Sequence, residues 1–129
     1  MRVKSKQPRK QRKALFKAHL HQRQKLVSVH LSPELREELD LRSLPVRKGD
    51  LVVIKRGGLR DVEGKVTDVN LKKIQVFVDG ATRDKADGTT INIPFHPSNL
   101  MIIKLNLKDK RRKAILERKA IGKEELFEE

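Results

Sequence analysis

The feature that most constrains the fold is a series of short β-type segments between Leu44 and about Leu105. Apolar residues alternate within most of these segments, and glycine-containing turn signals such as Asp79-Gly80 and Asp87-Gly88 separate them. The segments span residues 51–54, 62–69, 74–78, 91–93 and 101–105. Five short strands within about 60 residues favour a small closed barrel, since closure removes the unpaired edges that an open sheet exposes.

The chain before this region is strongly basic. Residues 1–30 contain no acid and have the cations Arg2, Lys4, Lys6, Arg9, Lys10, Arg12, Lys13, Lys17, Arg23 and Lys25. Like charges without counter-charges repel one another in a free protein, so the pattern indicates an anionic partner. A disordered, solvated tail is the alternative. Interspersed apolar residues such as Leu15, Phe16 and Leu20 argue against it, because they favour a surface to pack on.

Two amphipathic helices flank the β-type region. Ser32 is a good N-cap followed by Pro33 and Glu34, which predicts a short helix over 32–40. Asp109 can begin a second, basic helix through Lys119, and the acidic stretch 123–129 follows it with a frayed end expected. We therefore divide the chain into a basic N-terminal extension with short helices (1–43), a β core (44–105) and a basic C-terminal helix with an acidic tail (106–129).

The overall charge narrows the partners. The formal net charge is +14, with 31 Lys and Arg against 17 Asp and Glu, which favours nucleic acid first and an anionic membrane surface second. No apolar run approaches the roughly 20 residues of a membrane helix, so we expect no membrane insertion. No secretory signal follows the basic N-terminus, which predicts a cytoplasmic protein. Only 4 Phe and no Trp or Tyr occur, so RNA contact should run mainly through phosphates and shape.

The segment 45–66 has glycines where a phosphate-binding hairpin would need them. Gly49 makes a turn into a strand, Gly57-Gly58 allow a tight loop with positive φ, and Gly64 permits a bulge or a close backbone approach. Lys55, Arg56 and Arg60 surround the double glycine, so the loop offers backbone amides and cations together. An ordinary hairpin with solvated charges is the alternative reading.

This order of residues resembles the KOW motif of small SH3-like barrels in ribosomal proteins and transcription elongation factors. The sequence departs from the motif at Arg60-Asp61, where a basic residue is usually followed by glycine. The flanks are more specific. Residues 8–16, 42–50, 85–88, 96–99 and 109–112 resemble the archaeal and eukaryotic form of the universal large-subunit ribosomal protein family number twenty-four. The resemblance covers roughly residues 3–119, with His19 in place of an expected proline.

The resemblance implies a mainly β, SH3-like KOW domain that is a structural constituent of the large ribosomal subunit. It further implies binding to the 5′ region of large-subunit ribosomal RNA, a role early in subunit assembly, a position near the polypeptide exit tunnel, and contacts with neighbouring ribosomal proteins. We expect no homo-oligomer. The predicted RNA-binding residues are Arg9, Lys10, Arg12, Lys13, Lys17, His21, Arg23, Lys25, Arg47, Lys48, Lys55, Arg56, Arg60, His96, Ser98, Asn99, Arg111 and Arg112.

The sequence offers little for catalysis or metal binding. His19 and His21 lie among cations without an acid nearby, and residues 84–88 lack the alternating ligands of a calcium loop. No nucleophile arrangement or nucleotide-binding fingerprint is present, so we predict neither an enzyme nor a cofactor. The alternatives to a ribosomal protein are a KOW-containing transcription elongation factor and a general nucleic-acid-binding protein that compacts DNA.

Overall fold

The computed structural model describes residues 3–119, and the predicted acidic tail lies outside them. The described residues form four α-helices: α1 (Pro8–Lys17), α2 (Leu20–Leu26), α3 (Pro33–Leu39) and α4 (Lys110–Lys119). Helix α3 begins as predicted, since the Ser32 hydroxyl accepts a hydrogen bond from the Leu35 amide at 3.3 Å. Helix α4 also confirms its prediction, with the Asp109 carboxylate accepting from the Arg111 amide at 2.9 Å.

Seven strands form one sheet. They are β1 (Ser28–Leu31), β2 (Ser43–Pro45), β3 (Leu51–Ile54), β4 (Glu63–Asn70), β5 (Gln75–Asp84), β6 (Thr90–Phe95) and β7 (Leu100–Lys104). Their order across the sheet is β2-β1-β7-β3-β4-β5-β6. Strands β3 to β7 correspond to the five predicted segments, so the mainly β class with helices near both ends is confirmed.

The N-terminal part of the sheet was not predicted. Strand β1 pairs in parallel with β7, placing His30 opposite Met101 and Leu31 opposite Ile102, and it pairs antiparallel with β2. The sheet therefore includes residues from the segment that the sequence reading assigned to the basic extension. Among residues 3–119 the strand pairing is an open order, so a closed five-stranded SH3-like barrel is not confirmed.

Two glycine predictions have different outcomes. Asp87-Gly88 forms the β5–β6 turn, with Gly88 at φ +91°. Asp79-Gly80 is not a turn, because β5 continues through it while the β5–β6 register shifts between Phe77 and Thr82. Pairing with β6 on both sides of this irregularity holds the strand together despite the local turn signal.

Of the two roles predicted for Gly64, a bulge or a close backbone approach, the structure shows the close approach. A Cβ at this position would lie 2.5 Å from the Asp79 backbone oxygen and 2.8 Å from Val78 Cγ1. The neighbouring strand β5 thus approaches β4 too closely for any side chain. The bulge that we expected at Gly64 lies instead between Val66 and Asp68.

A single apolar core holds these elements together. It includes residues from both ends of the sheet order, such as Leu44 of β2 and Phe95 of β6, and Leu116 of α4. Every strand of the sheet contributes at least one buried residue to this core, from the outer strand β2 to the outer strand β6.

A buried ion pair joins α4 to this core. The Arg112 guanidinium donates to the Asp50 carboxylate at 2.5 and 2.7 Å, and the two side chains are 4% and 0% exposed. Asp50 also accepts hydrogen bonds from the Arg47 and Asn106 amides. Arg112 further donates to the carbonyls of Asn106 and Pro45. We refer to Asp50 and Arg112 as the clamp, because together they join the β2–β3 turn, the β7–α4 linker and helix α4.

Candidate nucleic-acid interface

Helix α1 presents the densest exposed charge. Its predicted RNA-binding residues Arg9, Lys10, Arg12, Lys13 and Lys17 are all exposed, and the helix has no buried residue. No acid lies in its first turn, where negative charge would complement the helix dipole. Helix α1 is therefore held by few internal contacts, and its surface is available to an anion.

Phe16 lies on the same helix face as two of these arginines. Positions 9, 12 and 16 are separated by three and four residues, which places them one above another on a helix. The Phe16 side chain is 74% exposed, although we expected it to pack on the protein. An exposed aromatic ring between cations can stack on a base while they neutralise phosphates. Phe16 is thus a candidate contact that the sequence reading missed.

Helix α2 divides its predicted residues between two surroundings. His21 and Lys25 are exposed, and the rings of His19 and His21 stack in parallel with centroids 5.8 Å apart. Arg23 is half-buried and donates to four carbonyls, those of Phe16 at 2.7 Å, Ala18 at 2.9 Å, Leu71 at 3.4 Å and Lys72 at 2.5 Å. Arg23 therefore fixes the turn between α1 and α2 against the β4–β5 loop.

A second group of predicted residues meets at one end of the sheet. The Lys55 amide donates to the Asn99 carbonyl at 2.7 Å, which joins the loop 55–60 to the short 3-10 turn Pro97–Asn99. Lys55, Arg56 and Arg60 of this loop are exposed, and so are His96 and Ser98 at the turn. The His96 Nδ1 atom accepts from the Ser98 amide at 3.2 Å and so shapes the turn. Five residues from two distant segments thus form one cationic and polar surface, which we refer to as the loop surface.

The backbone of the loop surface explains the departure from the KOW pattern. Gly57 has φ +99°, as predicted, and Asp61 has φ +67°. The Asp61 amide donates to the Ile54 carbonyl at 2.8 Å, which holds this left-handed conformation. Position 61 therefore requires the backbone conformation that glycine adopts most readily, and aspartate is among the few other residues that tolerate it.

The β2–β3 turn differs, since its two predicted cations already have acidic partners. The Arg47 guanidinium contacts the Asp109 carboxylate, and Lys48 Nζ lies 3.1 Å from Asp68. The hydrogen bond from Lys48, with a second from the Val69 amide, lowers the pKa of Asp68. For Asp109 the Arg111 amide is the largest cause of a lowered pKa, and Arg47 adds to it.

Two neighbouring predicted residues of helix α4 differ in their exposure to solvent. Arg111 is exposed, whereas Arg112 is 3% exposed within the clamp. A buried guanidinium whose hydrogen bonds are satisfied by the protein has little capacity left for a phosphate, so Arg112 is left out of the interface proposed below. Its partner Asp50 is far away in sequence, and no local pattern in residues 109–119 distinguishes the two arginines.

Other kinds of site find no support within residues 3–119. No group of three or more His, Asp or Glu side chains there could hold a metal ion. No helix in this range is long and apolar enough to cross a membrane. The arrangement is that of a small β domain that presents exposed cations on helices α1 and α2, which we refer to as the arm, and on the loop surface at one end of its sheet.

Such a domain is typical of basic, nucleic-acid-associated proteins, and comparison with known proteins identifies the family. Residues 5–119 match the family model of eukaryotic L26 and archaeal L24-type ribosomal proteins. A large ribosomal subunit protein uL24 from Methanosphaera stadtmanae is 56% identical over 115 residues, covering 89% of this chain and 98% of the relative. Another from Korarchaeum cryptofilum is 48% identical over 129 residues, covering 100% of this chain and 98% of that relative.

The chain belongs to this ribosomal protein family. It is accordingly a component of the ribosome, in the cytoplasm, and not an enzyme. The family resemblance drawn from the sequence is confirmed.

Proposed function

We propose that this chain is a structural constituent of the large ribosomal subunit that binds ribosomal RNA through its arm and its loop surface. The observation that carries the proposal is the exposed face of α1, where five cations have no acidic partner among residues 3–119. Each cation that neutralises a phosphate releases counterions from the RNA, which is a source of affinity that requires no base recognition. The relatives' names supply the subunit, since both are large-subunit proteins.

The two surfaces have different parts in this binding. The loop surface is built on paired strands and a hydrogen-bonded turn, so it is suited to a folded RNA site of fixed shape. The arm lacks buried residues and follows the phosphates as they neutralise it. Phe16 stacks on a base among those phosphates. The paired residues Arg47 and Lys48 contribute less, because RNA must compete with Asp109 and Asp68 for them.

The finer parts of the proposal rest on the family. We include binding to the 5′ region of the large-subunit RNA, action early in subunit assembly, a place near the polypeptide exit tunnel and contacts with neighbouring ribosomal proteins. We also include a KOW-type SH3-like barrel, supported by the single core to which Leu44 and Phe95 of the two outer strands both belong. The protein acts as one copy, not as a homo-oligomer.

The test is a salt titration of binding to a fragment of the 5′ region of large-subunit RNA, beside a shuffled RNA of equal length. A preference of about 100-fold for the fragment, or about 2.7 kcal/mol, that persists as salt rises supports recognition of a folded site. Equal affinities with equal salt slopes would mean that charge alone drives binding. That outcome would favour a general nucleic-acid-compacting protein and overturn the proposal.

A further inference from the structure

A groove of about 830 Å³ lies between the sheet and the start of α4, and lysines dominate it. Lys65, Lys104, Lys108, Lys110 and Lys113 line it, together with three leucines, one glycine and one asparagine. None of these lining residues is acidic. None of the five lysines is among the residues that the sequence pattern singled out for RNA binding. We refer to this site as the lysine groove.

Strand register explains how two of the lysines come together. Leu51 of β3 lies opposite Lys65 of β4 on one side and opposite Lys104 of β7 on the other. The β3–β7 register shifts between Leu51 and Val52, so regular alternation of faces does not hold at this point. Leu51, Lys65 and Lys104 nevertheless line the same groove. Adjacent strands are about 4.8 Å apart, which separates the two lysine backbones by roughly 10 Å. A row of cation, leucine, cation thus crosses the sheet.

The other three lysines stand where cations are unfavourable in the free protein. Lys110 and Lys113 lie in the first turn of α4 and Lys108 just precedes it, while that turn contains no acid. The N-terminus of a helix carries partial positive charge, so added cations there destabilise the helix unless an anion is near. The Asp109 carboxylate is already contacted by Arg47 and the Arg111 amide. The groove therefore concentrates positive charge that nothing within it offsets.

The ion pairs of the described chain confirm this imbalance. Within residues 3–119, salt bridges engage Arg47, Lys48, Arg60 and Arg112, and none engages a lysine of the groove. Four of the five lysines are exposed and Lys113 is half-buried. Their ammonium groups are consequently available to a ligand without breaking a contact in the protein.

The lysine groove is also separate from the arm. Its lining begins at Gly49 and includes no residue of α1 or α2. The opposite face of α4 lines another groove, in which Arg112, Ile115 and Lys119 meet Gln24 and Lys25 of α2. Helix α4 thus has α2 on one side and the lysine groove on the other. Asn106 and Lys108, just before α4, also line a cavity that Gln24 of α2 reaches. A contact along α1 alone would not fill the groove.

We propose that the lysine groove binds the phosphate backbone of a second RNA segment, separate from the segment held by the arm. The proposal rests on the RNA-binding function proposed above. A sugar-phosphate chain matches the groove, because it supplies one negative charge per nucleotide and needs only point-charge partners, which lysine provides. By holding two segments on opposite sides of α4, one protein molecule joins two parts of the folded RNA.

The first test compares two variants of the full chain that each lose five cations. The groove variant replaces Lys65, Lys104, Lys108, Lys110 and Lys113 with Gln. The matched control replaces Lys72, Lys73, Arg83, Lys85 and Arg118, which lie outside the arm, the loop surface and the groove, with Gln. With a fragment of the 5′ region, the log–log salt slope should flatten by about 3.5 in the groove variant, at about 0.7 for each of the lost contacts, and by less than about 1 in the control. Equal flattening would overturn the proposal.

The second test uses the unmodified chain, so it stands even if the groove variant fails to fold. An amine-reactive reagent and mass spectrometry report the reactivity of each lysine with and without the RNA fragment. The five groove lysines should lose at least about half of their reactivity on RNA binding, and should do so also when Arg9, Lys10, Arg12 and Lys13 are replaced by Ala. Unchanged reactivity would overturn the proposal.

Two further outcomes separate this inference from its alternatives. Groove lysines shielded without RNA, and released when residues 120–129 are removed, would assign the groove to the chain's own acidic end and overturn an RNA role. Shielding by the ribosomal fragment and the shuffled RNA alike, with equal affinity for both, would sink the ribosomal specificity proposed above and leave the groove as a phosphate site. Preference for the fragment without shielding would remove the groove alone.

Discussion

The arm and the clamp use the same residue types for opposite purposes. Arg9 and Arg12 of the arm are exposed and have no acidic partner among the described residues. Arg112 of the clamp is 3% exposed, and its two terminal nitrogens donate to the two carboxylate oxygens of Asp50. An unpaired guanidinium in water remains available to a phosphate, while a paired and buried one is committed to the fold. The surroundings of an arginine, rather than its position in a basic stretch, therefore separate binding from stability in this chain.

The largest expected effect breaks the clamp from one side. Arg112→Met should lower the free energy of unfolding by about 3–5 kcal/mol, because it leaves the Asp50 carboxylate buried without its cation. Urea unfolding followed by circular dichroism measures this change. The neighbouring exposed residue is the control, and Arg111→Met should stay within about 0.5 kcal/mol of the unmodified protein. Equal losses in both variants would mean that the clamp contributes nothing special.

A glycine at the close approach of two strands gives the next effect. Gly64→Ala should destabilise the fold by about 1–3 kcal/mol, since its Cβ would lie 2.5 Å from the Asp79 backbone oxygen and the strands must move apart. Gly58→Ala is the matched control in the loop surface. A Cβ there meets nothing within 4 Å and the residue lacks a positive φ, so we expect no loss. If Gly58→Ala lowered the urea midpoint more than Gly64→Ala, the loop surface and not the sheet would limit stability.

A smaller effect of opposite sign is expected at Asp61, which directly follows Arg60 of the loop surface. Asp61→Gly should stabilise the protein by roughly 0.5–1 kcal/mol, because Asp61 has φ +67° and glycine relieves the strain of that conformation. Asp84→Gly, in a strand with ordinary φ, should instead destabilise. Thermal unfolding of the pair checks the sign. A loss of stability in both variants would show that Asp61 is held by contacts that outweigh its strain.

The smallest effect is the loss of stability at low pH that results from protonation of Asp109. The pKa of Asp109 is lowered in the folded chain, first by the Arg111 amide, from an ordinary value of 3.8. Its stabilising contribution is therefore complete above that value and is lost as pH falls through the lowered pKa. Asp109→Asn keeps a helix-capping oxygen without the titration. Between pH 5 and pH 2.5, the urea midpoint of the unmodified chain should fall slightly more than that of the variant. Parallel decreases would remove Asp109 as a contributor.

Local chemistry explains which parts of the fold could be predicted. The sequence Ser32-Pro33-Glu34 contains its own helix start, and the alternation of Val76 and Val78 gives a strand without reference to other segments. Strand β1 had a comparable signal in Val27, Val29 and Leu31, all buried at alternating positions. The surrounding basic charge led us to treat that stretch as an arm. The turn signal at Asp79-Gly80 failed because pairing with β6 overrides it.

The site was harder to predict, because its residues depend on distant partners. The exposed cations of α1 follow directly from the absence of acids in residues 1–30. The burial of Arg112 depends on Asp50, which is 62 residues away. Lys65 and Lys104 are close in space because both lie opposite Leu51, on the two strands that flank β3. The sequence shows how many cations exist, whereas the fold decides which of them remain free.

The most direct test of this division measures both properties in the same two variants. The arm variant replaces Arg9, Lys10, Arg12 and Lys13 with Ala, and the clamp variant is Arg112→Met. At 0.15 M salt and a temperature where both are folded, the arm variant should lose roughly 100-fold in affinity for the ribosomal RNA fragment, from four lost phosphate contacts. It should keep its stability within about 0.5 kcal/mol. The clamp variant should keep its affinity for the RNA fragment and lose about 3–5 kcal/mol of stability. If the arm variant unfolded, or if the folded clamp variant lost as much affinity as the arm variant, the separation of binding cations from structural ones would be wrong.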